Sequence, residues 1–153
     1  KTPSEDDIQK AIEEDNTIFD LVETSENLTN TLLIAVSNTE SGTTTTLDVY
    51  DLSGQTERSQ YNLSSQLPKK DGTNDEYVEA AKNYILNGMM IASDMHSYLD
   101  KNKLDDLSDY KKRVEAQQNY TLSVVSARMV YLSDAGVPED KINEILGTNS
   151  DTE

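Results

Sequence analysis

The chain has 153 residues with no cysteine, no tryptophan and one histidine, and 29 acids against 13 bases give it a net charge of −16. Disulfides and thiolate metal or redox chemistry are thereby excluded, and a charge of this sign argues against a phosphate-binding footprint for nucleic acid. Leu, Ile, Val and Phe supply 33 of the 153 residues. That share lies just above the roughly 20% below which a charged chain stays disordered. No apolar run approaches the roughly 18 residues of a membrane span.

Ser4 stands before Glu5, Asp6 and Asp7, a side-chain oxygen and negative charge where a helix start needs both. A spacing of three and four runs from there through Ile8, Ile12, Asp15, Phe19, Val22, Glu26, Thr29, Leu33 and Val36. It predicts one long helix over about 5–38, weakest near Ser25 and Glu26, where a bend or break is expected. Half of the net charge, −8, lies in residues 1–40.

Residues 38–73 break the helical period. Thr45, Leu47 and Val49 alternate with Thr46, Asp48 and Tyr50, and Ser53-Gly54-Gln55 can turn the chain. The segment is read as a small β-hairpin insertion, with a loop carrying one short helix as the competing reading. Pro68 and Lys69-Lys70-Asp71-Gly72 end it. Thr73 and Glu76 have capping-box spacing and open a second long helix reaching about residue 100. A short polar connector, Asp100 to Lys103, predicts an antiparallel neighbour over about 104–134.

Between Tyr120 and Leu132 this third helix is apolar nearly all round, so cover is expected on every side. Pro138 opens a short last helix whose Ile142, Ile145 and Leu146 are expected to supply part of that cover. The fold class is therefore mainly α: an antiparallel bundle of three long helices and one short one, decorated at about 38–73. Residues 1–147 form one domain, and 148–153 read as a frayed tail.

Catalytic and metal motifs are scarce. His96 has Ser93 rather than Glu three residues before it, so the Glu-x-x-His signature of di-metal bundles is missing. Asp71-Gly72-Thr73-Asn74-Asp75 places its glycine second rather than sixth, which suits a helix terminus and not a calcium loop. Ser93 and Ser97 flank His96 without a nucleophile turn. Adjacent carboxylates such as Glu13-Glu14 diverge on a helix and form a solvated face. No enzyme, metal or cofactor is expected.

Two features carry a sharper possibility. Tyr77, Tyr84, Ile91 and Tyr98 repeat every seven residues on one helix, and Tyr110, Gln117, Val124 and Tyr131 do so on the next. Tyrosine stripes can hold a peptide or sugar, although filling the boundary between core and water is their commoner use. Gly88 shares a face with Ala81 and Ala92, near Met95. Close helix packing is its ordinary role, and a small pocket lined by Met95 and Met129 the functional alternative. Tyr77, Tyr84, Tyr98 and Gly88 are accordingly the candidate ligand or partner surface. Lys111, Lys112 and Arg113 form the only basic triple, expected to offset the acidic first helix at a shared rim.

The leading expectation is a non-enzymatic interaction domain with a protein partner, met through the first helix or the 38–73 segment. The cysteine-free, Ser-, Thr- and Asn-rich composition and a start at Lys1 rather than Met suggest an extracellular or cell-surface setting. An ectodomain or lipoprotein tethered upstream of Lys1 is the form this would take. An inhibitor or immunity-type protein steered to a basic partner by the −16 charge is the first alternative, and a small-ligand sensor the second. Oligomeric state is left open by these features.

Overall fold

The computed structural model describes residues 2–101 and 107–147, and every regular element in them is a helix. These are α1 (Glu5–Glu40), α2 (Thr46–Ser64), α3 (Asp75–Asp100), α4 (Ser108–Asp134) and α5 (Glu139–Leu146). The expected connector at 102–103, Leu104, the Asp105-Asp106 pair and the tail at 148–153 lie outside the described residues.

The first correction concerns 38–73. The hairpin expected there is α2, nineteen residues long, so the bundle has four long helices and not three. Its buried line is Val49, Ser53, Thr56 and Gln60. Those positions keep a four-three-four spacing, but three of the four are polar, so no apolar period betrays the helix. The threonine run supplies its start, with the Thr45 hydroxyl accepting from the Asp48 N–H at 3.1 Å. Gly54 is not a turn residue. It lies inside α2, where an added Cβ would come within 3.2 Å of the His96 ring on α3.

α1 is continuous over 36 residues, about 54 Å at 1.5 Å per residue. Its start is as the sequence indicates: the Ser4 hydroxyl accepts from Asp7 N–H and the Asp7 carboxylate from Ser4 N–H. The start of α3 differs. Asn74 precedes its first turn and the Thr73 hydroxyl donates to Asp71 instead. The Asp71 carboxylate also accepts from the Thr73 and Asn74 N–H groups, so this acid organises the turn before the helix and is held below the usual carboxylate range by those bonds.

Pairings fix the topology. Asp15 on α1 meets Tyr77 at the start of α3, and Thr29 lies against Gly88 further along it, so α1 and α3 run the same way. Ser25 with Gln60, Ser53 with His96 and Tyr77 with Tyr131 make α1–α2, α2–α3 and α3–α4 antiparallel. The result is an up-down-up-down bundle in which α3 packs on the other three long helices, while α1 and α4 meet over a short stretch.

Two apolar clusters form the core. One joins Ile18 and Val22 to Tyr84, Ile85, Val124 and Leu132; the other joins Leu32 to Val49, Ile91 and Met95. Between them lies a polar layer. Gln60, fully buried, accepts the Ser25 hydroxyl at 2.5 Å and donates to the Ser25 carbonyl at 3.1 Å and to Thr29 Oγ1 at 3.0 Å. The weak middle of the first helix is this layer, where the helix continues without a break.

Candidate functional site

The most enclosed chemistry lies at one end of the bundle. Asp15, completely buried, takes two bonds from Arg128 of α4, Nε to Oδ1 at 2.7 Å and Nη2 to Oδ2 at 3.0 Å. The Tyr77 hydroxyl donates to the same Oδ1 at 2.6 Å. The Arg128 guanidinium also sits 3.7 Å above the Phe19 ring, an orientation favoured by the ring's negative face. Beside it the Tyr131 hydroxyl donates to Glu14 Oε1 at 2.7 Å. Both carboxylate oxygens of Asp15 are engaged and the side chain is closed off from solvent, so the group clamps three helices together.

The two tyrosine stripes meet each other. Tyr77 and Tyr131 pack with ring centroids 5.6 Å apart. Of the four candidate surface residues, Tyr77 and Gly88 are interior, Tyr84 is buried at the floor of a cleft and Tyr98 is half-buried in the second cluster. Gly88 faces Gln60 and Thr29, which an added Cβ would meet at 2.7 and 2.9 Å. Met95 is buried, whereas Met129 is exposed on another helix, so the two do not line one pocket.

Burial raises the Tyr77, Tyr84 and Tyr131 hydroxyls above the ordinary tyrosine range and pushes Tyr110 up to about 12. A raised folded pKa favours the protonated form in the fold. The stability it brings is complete below about pH 10 and is lost as pH rises through the folded values. Alkaline titration at 295 nm is therefore expected to show exposed phenols ionising first. At least four of the eight tyrosines should ionise only in a steep later step that coincides with loss of helical circular dichroism. A single smooth titration of all eight would contradict the packing.

His96 sits between α2 and α3. Its Nδ1 is 3.2 Å from the Tyr50 carbonyl, which only accepts, so Nδ1 carries the proton. The ring stacks on Tyr50 at 4.2 Å, and Ser53, 3.3 Å away, is fully buried with its hydroxyl donating to the Tyr50 carbonyl. The serine and the ring together dock one helix on another. Among the described residues no group of three or more His, Asp or Glu side chains is arranged to hold a metal ion.

Of the hollows where helices part, two border the groups described above. The cleft between α1 and α4 has a volume of about 290 Å³ over a Tyr84 and Ile91 floor. There the Gln117 side chain accepts from Asn87 at 2.6 Å and leaves its buried Nε2 without a partner. A larger, open hollow of about 680 Å³ is rimmed by Asp7, Lys10, Glu14, Asp71 and Asp134. Three of these carboxylates are already bonded: Asp7 to Ser4, Glu14 to Tyr131 and Asn74, and Asp71 to its own turn.

The remaining feature is the outer face of α4. Leu122, Val125, Met129 and Val130 are 59%, 37%, 46% and 48% exposed. The expected cover on every side is absent among the described residues. α5 packs instead at the edge where Ile145 and Leu146 border Phe19 and Arg128. The basic triple also divides: Arg113 pairs with Asp94 of α3 at 2.7 Å and not with α1, while Lys111 and Lys112 have no carboxylate partner among the described residues. The arginine that does meet α1 is Arg128, standing alone in the apolar run. A charge inside such a run, with Asp15 on the seam of α1, was the sequence signal for that pair.

No protein-family model matches the chain, and neither the curated proteins nor the solved structures contain a significant match to it.

Proposed function

We propose that this chain is a non-enzymatic helical interaction domain that meets a protein partner through the outer face of α4. The observation that carries the reading is the uncovered row of Leu122, Val125, Met129 and Val130. It lies on a stretch, 116–133, whose only charged residue is the buried Arg128. Single exposed apolar side chains are ordinary on any surface, but a contiguous group rimmed by polar residues is what interaction sites present. On this reading the partner meets α4 rather than the first helix or the 38–73 segment, where the exposed large apolar residues are Ile34 on α1 and the widely spaced Leu47 and Tyr61 on α2.

The other groups with chemical potential support this reading by their occupations. His96 and Ser53 pack helices, and the Asp15–Arg128 pair is sealed. The α1–α4 cleft, at about 290 Å³, falls below the usual ligand-pocket range of roughly 300–1,000 Å³, and the hollow of about 680 Å³ is open and rimmed by carboxylates, three of them already bonded, so both are weaker bases for a sensor. A setting outside the cytoplasm belongs to the same proposal and has its support in the cysteine-free, hydroxyl-rich composition.

The test is a photo-crosslinking residue at Ser126, in the middle of the face, in the protein expressed in its source cells, with the exposed Asn62 of α2 as comparison. A discrete adduct from position 126 and none from 62 is the expected result. Equal or absent adducts from both positions would overturn the assignment of the face.

A further inference from the structure

We infer that the cleft between α1 and α4 is a binding site for a small organic cation that also carries a neutral oxygen acceptor, as an amino-acid amide does. The inference goes beyond the interaction reading of α4 and does not depend on it.

The cleft exists because α1 and α4 meet over only a short stretch. Where they part, the buried Tyr84 and Ile91 of α3 form the floor, with Leu33 and Val114 beside them, so the bottom of the hollow is largely apolar. A volume of about 290 Å³ suits a ligand smaller than those that fill the usual pocket range.

Gln117 sets the first polar requirement. The Arg113 carbonyl only accepts, so the Asn87 amide presents its Nδ2 there, at 3.0 Å. The same nitrogen donates to Gln117 Oε1 at 2.6 Å. Turning the Gln117 amide over would set nitrogen against nitrogen, so its oxygen stays with Asn87. Its Nε2 is left for the cleft that the residue lines, buried and without a hydrogen bond. An amide nitrogen only donates, so the group that satisfies it is an oxygen acceptor.

Charge sets the second requirement. Glu26 of α1 and Glu115 of α4 stand on the two walls, both exposed, and neither has an ion-pair partner among the described residues. No basic side chain lines the cleft. Burial raises the Tyr84 hydroxyl and the Glu26 carboxylate adds to that rise, although Gln117 and Thr121 act the other way. The charge of Glu26 is thus felt at the floor. An anion entering the cleft would meet two carboxylates, whereas a cation would lie between them. A wholly apolar ligand would leave Nε2 unsatisfied. An ammonium group held toward the glutamates, an oxygen on Nε2 and a short apolar end on the floor answer all three features together.

Leucinamide is the probe, added to the isotope-labelled full chain at about pH 6, where its α-amino group is charged. The Gln117 side-chain amide and the Thr121 backbone amide are followed by NMR. A saturable shift of both is expected, half complete at about 1 mM. Isopentylamine keeps the charge and the apolar end but lacks the oxygen, and it should bind about fivefold more weakly. N-acetylleucine, an anion, should not saturate. Glu26→Gln with Glu115→Gln, both at the surface, should weaken leucinamide about tenfold and leave helicity and melting temperature unchanged. Gln117→Glu keeps an oxygen for Asn87 but removes the Nε2 donor. It should erase the preference for leucinamide over isopentylamine, read at Thr121.

No saturation by about 50 mM leucinamide, or equal binding of N-acetylleucine, overturns the inference. So does an affinity indifferent to the double glutamine substitution, or a preference for leucinamide that survives in a folded Gln117→Glu. The two surface glutamates keep the test decisive if that last variant loses helicity.

Discussion

Arg128→Met is expected to destabilise the fold by about 3–5 kcal/mol, lowering the melting temperature on the order of 10 °C for a chain of this length. Asp15 is completely buried and its guanidinium partner nearly so. Removing the arginine therefore leaves a carboxylate out of water with only the Tyr77 hydroxyl for company. The loss reflects that stranded charge more than the worth of the pair itself. The matched apolar replacement, Asp15→Leu with Tyr77→Phe and Arg128→Met, is accordingly expected to recover most of the stability, since no buried polar atom is then abandoned. The Arg113–Asp94 pair gives the contrast. It has the same 2.7 Å bond, but its arginine is 37% exposed, so Asp94→Asn should cost no more than about 1 kcal/mol. Urea denaturation of the three variants checks the ordering. Equal losses for Arg128→Met and Asp94→Asn would mean that burial does not govern the energetics of these pairs.

What was legible in the sequence follows from which seams are apolar. α3 was readable because Tyr77, Val78, Ala81, Ile85, Ile91 and Ala92 mark its buried side, on which Asn87 is the one side chain with an amide. α1 was readable in extent, and its expected line shares Asp15, Val22 and Thr29 with the buried one, while Ile12, Phe19, Glu26 and Leu33 fall one residue beyond the buried Ala11, Ile18, Ser25 and Leu32. Its buried line is Ala11, Asp15, Ile18, Val22, Ser25, Thr29 and Leu32, whereas the more hydrophobic Ile12, Phe19 and Leu33 beside that line are only half-buried. Where Asp15, Ser25 and Thr29 occupy core positions, hydrophobicity alone cannot mark the inward side. α2 was lost for the same reason carried further, because the partners that make Ser53, Thr56 and Gln60 suitable for burial lie on other helices or are not visible in its own sequence. The α4 face failed in the opposite sense. Its apolar residues were seen, but cover was expected from within the chain, and a fold has no obligation to supply cover that a partner can provide. Tyr77 and Tyr84 were correctly placed on one stripe; that the stripe faces Asp15 and α4 depended on which helix became its neighbour.

Gly88→Ala is expected to destabilise the protein by about 2–3 kcal/mol even though alanine is better than glycine in a helix by about 1 kcal/mol. The new methyl would stand 2.7 Å from Gln60 Nε2 and 2.9 Å from Thr29 Oγ1, closer than real contacts allow. Gln60 cannot simply swing aside, because it accepts the Ser25 hydroxyl and donates to both the Ser25 carbonyl and Thr29. Displacing it forfeits buried hydrogen bonds worth about 1 kcal/mol each. Gln60→Ala by itself should also cost about 2–4 kcal/mol, through the same bonds and the space it opens. The two losses should not add. In the Gln60→Ala background the methyl introduced by Gly88→Ala no longer meets Gln60, and Thr29, released from its bond to Gln60, can turn its hydroxyl aside, so the second substitution should cost far less than in the wild type. A double-mutant cycle by urea denaturation is expected to give a coupling of about 2 kcal/mol in the rescuing direction. Additivity within about 0.5 kcal/mol would show that Gly88 is required for some other reason. A confirmed coupling would identify the layer of Ser25, Thr29, Gln60 and Gly88 as the device that sets the register of α1, α2 and α3. One step of sliding would bury those polar groups against Val22 or Leu32 with no partner, and the apolar clusters on either side offer no comparable penalty.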